Sequence, residues 1–176
     1  MKLCIILVCL SFITGCCFEY GDEHGSAESF DKLLGLKICP KEIVSLRNGA
    51  SDFSGCFIFD FPETSRKFFE SPPLSLFQHP VPLSYEKNKI FVKWKKTPFK
   101  KKHIHFFRKS LLIARTMGLE EKYVIELNAL SITEDSLYSL SYENDGSNKS
   151  HNVDVFIINP KKLRFYKFTD TNRIFK

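Results

Sequence analysis

Apolar and polar positions follow two rhythms along this chain, and the switch between them marks its elements. Residues 56–61 alternate with period two, placing Phe57, Phe59 and Phe61 on one face of a strand that Pro62 ends. Ile90, Val92 and Trp94 alternate with Phe91, Lys93 and Lys95, which predicts a strand with one basic face, closed off by Pro98. Over residues 103–117 the spacing changes to three and four. Ile104, Phe107, Leu111 and Ala114 form a helical stripe, and Gly118 stands where a C-terminal cap belongs. Tyr123, Ile125, Leu127 and Ala129 return to period two and predict another strand. Residues 137–142, 153–158 and 163–168 predict three more, the last two joined through Asn159-Pro160-Lys161-Lys162. Short helical turns over residues 30–36 and 63–70, a turn after Pro40, and a proline-rich crossing through Pro72, Pro73, Pro80 and Pro82 complete the pattern. The expected architecture is a single α+β domain, an antiparallel sheet of about five or six strands with one main helix packed on it.

The first residues carry an address. Lys2 precedes an apolar run over residues 3–13. That run falls short of the roughly 20 residues a membrane helix needs, and so reads as a secretory signal. Ile13-Thr14-Gly15-Cys16 follows directly and resembles the lipobox of bacterial lipoprotein precursors: an aliphatic residue, two small ones, then cysteine. The resemblance implies cleavage after Gly15, a thioether-linked diacylglyceryl on Cys16 and, in most such proteins, a third acyl chain on the new amino group. Two or three chains anchor firmly, at about 0.8 kcal/mol per buried CH₂. Cys17 follows the lipidated position, and the absence of aspartate there favours the outer membrane in enteric-type sorting, with the domain in the periplasm. The expected division is residues 1–15 as signal peptide, 16–29 as lipidated cysteine and polar tether, and 30–176 as the domain. An ordinary secreted precursor is the alternative, in which Asn148-Lys149-Ser150 would be a glycosylation acceptor.

With Cys16 acylated and the signal removed, Cys17, Cys39 and Cys56 remain. Cys39 with Cys56 is the expected disulfide, because Cys17 lies in the tether. Closing that loop of about 17 residues would stabilise the fold by roughly 3 kcal/mol. Zinc is disfavoured, since no C-x-x-C occurs. His103-Ile104-His105 is the one close histidine pair, but a helix points the two about 200° apart, and Lys100-Lys101-Lys102 beside them repels cations. They are expected to be solvated at a helix start, with no metal and no cofactor.

Charge changes the picture most. The 176-residue chain carries a formal net charge of +6, yet residues 87–119 hold eleven Lys or Arg and no acid. Fourteen basic against twenty acidic residues are left for the rest of the mature chain. Lys93, Lys95, Lys96, Lys100, Lys101, Lys102, Arg108 and Lys109 form the candidate binding surface, with Trp94 and Phe99 as candidate ring contacts. Such a segment reads as a solvated basic face with no specific target, or as a surface for an acidic protein partner, or for anionic lipid or cell-wall polymer. Nucleic acid is not expected in an exported protein. The 18 phenylalanines promise a ring-rich core. Phe57, Phe59 and Phe61 are expected inside, whereas Phe68-Phe69, Phe106-Phe107 and Phe99 offer more rings than local geometry can turn inward.

Enzyme motifs are missing. There is no G-x-S-x-G, no H-E-x-x-H and no phosphate-binding glycine loop, and Glu134-Asp135 and Glu143 with Asp145 sit in turn-like sequence. A small, motif-free lipoprotein with a polarised surface is similar to toxin-neutralising immunity lipoproteins. The expectation is therefore a non-enzymatic, lipid-anchored, periplasm-facing interaction protein, with neutralisation of a toxin or effector as its role. The alternatives are a structural envelope lipoprotein binding anionic lipid or cell-wall polymer, and an enzyme whose catalytic groups converge from distant positions.

Overall fold

The computed structural model describes residues 27–48, 54–80, 89–144 and 150–170. They contain strands β1 (Lys41–Asn48), β2 (Ser54–Asp60), β3 (Lys89–Lys96), β4 (Leu137–Asn144), β5 (Ser150–Asn159) and β6 (Arg164–Asp170). The helices are α1 (Ala27–Leu34), α2 (Arg66–Glu70), α3 (Ile104–Thr116) and α4 (Glu121–Ile132). All strands join one open antiparallel sheet in the order β1-β2-β6-β5-β4-β3, which confirms the α+β class. The last strand closes the sheet by inserting between β2 and β5. Leu163 takes φ +52° in the tight connection, and its N–H donates to the Pro160 carbonyl at 3.3 Å.

Both faces of the sheet are covered. Strand alternation sends Cys56 and Ile58 of β2, Val155 and Ile157 of β5, and Tyr166 and Phe168 of β6 to one side, against α3 and α4. Phe57, Phe59, Phe156, Ile158 and Phe165 go to the other side, where Phe30 and Leu34 of α1, Phe69 of α2 and Leu76 meet them. Two covered faces explain why residues 55–59 of β2 are buried without interruption. They also correct the expectation of surplus rings. Phe106 stacks on Tyr142 at 5.2 Å, Phe107 on Phe99 at 4.9 Å, and Phe69 on Phe61 at 4.8 Å; only Phe68 of this group stays half-buried.

Three other expectations are corrected. Residues 121–132 form a helix, not a strand, so two long helices cover the sheet where one was expected. Tyr123, Val124, Leu127 and Leu130 make the buried stripe, and Glu121 lies in the first turn, where the helix dipole favours an acid. The segment after Pro40 is an edge strand, with Ile43, Val44 and Leu46 half-buried. Cys56 is a free, fully buried thiol on the α3–α4 side of β2, so it does not pair with Cys39. Cys39 is itself disulfide-bonded, through a pairing that falls outside the described residues. The signal, the lipobox and the tether as far as residue 26 also lie outside them, while residues 27–29, assigned to the tether, instead form the first turn of α1. Among the described residues, no helix is long and apolar enough to cross a membrane.

Two local devices position the basic region. The C-terminal end of α1 is held against β3: the Trp94 indole N–H donates to the Leu33 carbonyl at 2.8 Å, and His79 Nδ1 lies 3.1 Å from the Lys32 carbonyl. Both contacts occupy carbonyls that a helix end leaves open. Gly35 makes the approach feasible. Its φ is +67°, and a Cβ there would come within 2.6 Å of His79 Nε2. At the other end of the basic segment, Gly118 (φ +93°) ends α3 and lets the chain turn into α4.

Candidate docking surface

β3 is an edge strand, and the chain leaves it through Thr97 and Pro98 into a lysine turn that starts α3. The turn is tight: His103 N–H donates to the Lys100 carbonyl at 2.7 Å, and Ile104 N–H to the same carbonyl at 3.1 Å. Thr97 fastens the segment to the sheet, with its N–H and its hydroxyl both donating to the Ser136 carbonyl, at 2.9 and 3.1 Å. Lys93, Lys96, Lys100, Lys101, Lys102 and Arg108 are exposed and Lys95 is half-buried. None of these seven makes an ion pair among the described residues.

The grouping works against stability. Burial and the neighbouring Lys100 and Lys102 charges hold the Lys95 ammonium below its ordinary pKa. The first turn of α3 carries no acid and no side-chain cap, so three lysines sit at the positive end of the helix dipole. Inside this shell, His103 is only 4% exposed. Burial first, then the charges of Lys102, Lys95, Lys100 and His105, push its pKa down to about 4. That corrects the expectation of a solvated pair: His103 is a buried, neutral side chain, while His105 is exposed.

Three candidate contact residues belong elsewhere. Trp94 is 2% exposed and faces α1. Phe99 is stacked between Tyr138 at 4.2 Å and Phe107 at 4.9 Å, within the core. Neither ring is available to a partner. Lys109 is exposed but already paired, since its Nζ lies 2.7 Å from the buried Asp170 carboxylate and ties α3 to β6. Sequence alternation placed Trp94 correctly on a strand face but could not tell that α1 covers that face.

A cleft of about 390 Å³ borders the cluster, floored by Phe69, Pro72, Leu137 and Pro160, with Lys96 on its rim. Ser136 also lines it, and the Ser136 hydroxyl has no hydrogen-bond partner among the described residues. Asp135 and Lys161 on the cleft wall pair with each other at 2.6 Å.

Another charged group was invisible to motif reading. Arg164 donates to Asp60 at 2.7 and 3.2 Å and lies 3.5 Å from Glu126. Glu126 also accepts from Lys162 at 2.8 Å and Asn159 at 2.9 Å. Burial alone would raise the Glu126 carboxyl, but the donors, led by Lys162, outweigh it and hold the pKa below the usual range. Its members come from β2, α4, β5 and β6 and pair with one another, so the group fastens α4 to the sheet. Among the described residues, no group of three or more His, Cys, Asp or Glu is arranged to hold a metal ion. Compared with protein-family models, curated proteins and solved structures, the chain matches none.

Proposed function

We propose that this chain is a lipid-anchored protein of the bacterial envelope, its domain on the periplasmic side, that works by docking and not by catalysis. The observation that carries the reading is the cluster of seven cations at the end of β3 and the start of α3, none of them in an ion pair among the described residues. Seven like charges grouped in one region suit an anionic partner. The partner favoured is an anionic lipid surface. Trp94 and Phe99 are inside, so the cluster lacks the ring anchors that protein hot spots use. A diffuse anionic surface asks for none, and each Lys or Arg near one contributes about 1 kcal/mol.

The test is acetylation footprinting of the mature protein in phosphatidylethanolamine vesicles, with and without phosphatidylglycerol. Protection of Lys100, Lys101 and Lys102 that needs phosphatidylglycerol and fades with added salt is expected. Equal labelling in both vesicles would sink the lipid reading. The mass of the mature N-terminal peptide checks the anchor: diacylglyceryl on Cys16 is expected, and an unmodified peptide cut elsewhere removes it.

A second reading is an acidic protein partner, such as an effector neutralised by occlusion. The cleft beside Lys96 supports it, because its apolar floor could receive one partner side chain while the lysines meet carboxylates. Under that reading, a soluble acidic protein protects the same lysines without any vesicle.

A further inference from the structure

We propose that the outer face of helices α3 and α4 is a bilayer-contacting surface. It lies on an anionic leaflet with Ile125, Ala129 and Ile132 of α4 and Leu112 of α3 at the acyl boundary. This rests on the lipid reading above and deepens it by naming the face and its depth.

Helix α4 carries aliphatic side chains on its outer side as well as its inner one. Its inner stripe is buried against the sheet, and its outer side carries Ile125, 64% exposed, and Ile132, 75% exposed, with exposed Ala129 between them. Spacings of four and three put these on one line along the helix. Leu112 of α3 is 61% exposed. It lies on the helix that Gly118 joins to α4. A helix that covers one sheet face is expected to be polar on its far side, and this one sets Ile125, Ala129 and Ile132 there among Glu121, Lys122 and Asn128.

Cations flank this stripe, with exposed Glu134 and the Asp135–Lys161 pair just beyond Ile132. Phe99 N–H donates to the Ser131 carbonyl at 3.3 Å, which sets the lysine turn, beginning at Lys100, beside the end of α4 that carries Ile132. Arg108 adds an exposed cation on α3, without an ion pair among the described residues. Where α3 passes into α4, Glu120 is met by Lys122 at 2.7 Å and Glu121 by Arg115 at 3.9 Å, so both acids there are matched. Aliphatic side chains bordered by lysines fit a lipid interface, where the former reach the acyl boundary and the latter meet phosphates.

The experiment places a fluorescent reporter on the stripe. The mature Ile132→Trp protein is reconstituted in phosphatidylethanolamine vesicles with or without phosphatidylglycerol, and emission is read with and without brominated acyl chains. Trp94 supplies a constant buried background, and a Leu74→Trp protein, altered at a side chain 84% exposed outside the two helices, serves as control. We expect a blue shift and a severalfold loss of emission by bromolipid for Ile132→Trp, only with phosphatidylglycerol, and none for Leu74→Trp. Protection of Lys100–Lys102 without quenching at position 132 would overturn the helix-face proposal and leave the lysine reading standing. Absence of both protection and quenching overturns both.

Discussion

The Nδ1 atom of His103 lies 3.2 Å from the Tyr138 hydroxyl, which also receives the Lys100 N–H at 3.2 Å. With the amide donating to the phenol oxygen, the phenol O–H is free to donate to a neutral imidazole. Protonating His103 would break that arrangement and add a charge beneath Lys95, Lys100, Lys102 and His105. Its pKa of about 4 in the fold lies below the ordinary 6.5, so the unfolded chain takes up the proton first. Stability from this group is complete above about pH 6.5 and falls as pH drops toward 4, by on the order of 2 kcal/mol. Urea midpoints at pH 7 and pH 5 should show this fall, and His103→Phe should flatten it. An unchanged slope in the variant would place the pH dependence elsewhere.

The lysine turn and the rings beside it should separate cleanly. Trp94→Ala empties a core site and removes the donor to Leu33, so a loss of about 3–5 kcal/mol is expected in urea unfolding. Lys100→Glu with Lys102→Glu relieves repulsion and supplies acids to the start of α3. Unfolding should therefore be unchanged or harder by a few tenths of a kcal/mol, roughly. Comparable losses in the two proteins would mean the lysines serve the fold.

The helical reading of residues 121–132 has its own test. Leu127 is fully buried and Ile125 largely exposed, although period-two alternation would put them on one strand face. Leu127→Ala should cost about 2–5 kcal/mol and Ile125→Ala less than about 1. Similar costs would restore the strand.

Thiol chemistry checks the cysteines. Burial pushes the Cys56 thiol up to about 12. Iodoacetamide should therefore leave it unlabelled in the native protein and label it fully in urea. Cys39 should become reactive only after reduction, and a non-reduced digest should contain no peptide linking Cys39 to Cys56.

Much of the sheet was legible because strand alternation is a local property. β2, β3, β5 and β6 each show it over a few residues, and α3 shows its own period through Ile104, Phe107, Leu111 and Ala114. α4 defeated the same logic. With Tyr123, Val124, Ile125, Leu127, Ala129 and Leu130 all apolar, both periods fit, and the outer stripe supplied the false alternation. The twelve-residue length without Gly or Pro, and the two Leu and two Glu within it, were the signals that could have decided it. Trp94 and Phe99 failed for a different reason. Rings among lysines look alike whether the neighbouring surface is water or a helix sixty residues away in the chain.

By itself, the sequence determined the α+β class, the position of most strands and the concentration of charge in residues 87–119. Each depends on neighbours in the chain or on composition. Tertiary structure alone decided that both faces of the sheet are covered, that Cys56 is unpaired, that His103 is buried beneath its lysines and that α4 turns isoleucines outward. Burial is set by what packs across an element, and these contacts join residues far apart in sequence, where no local pattern records them.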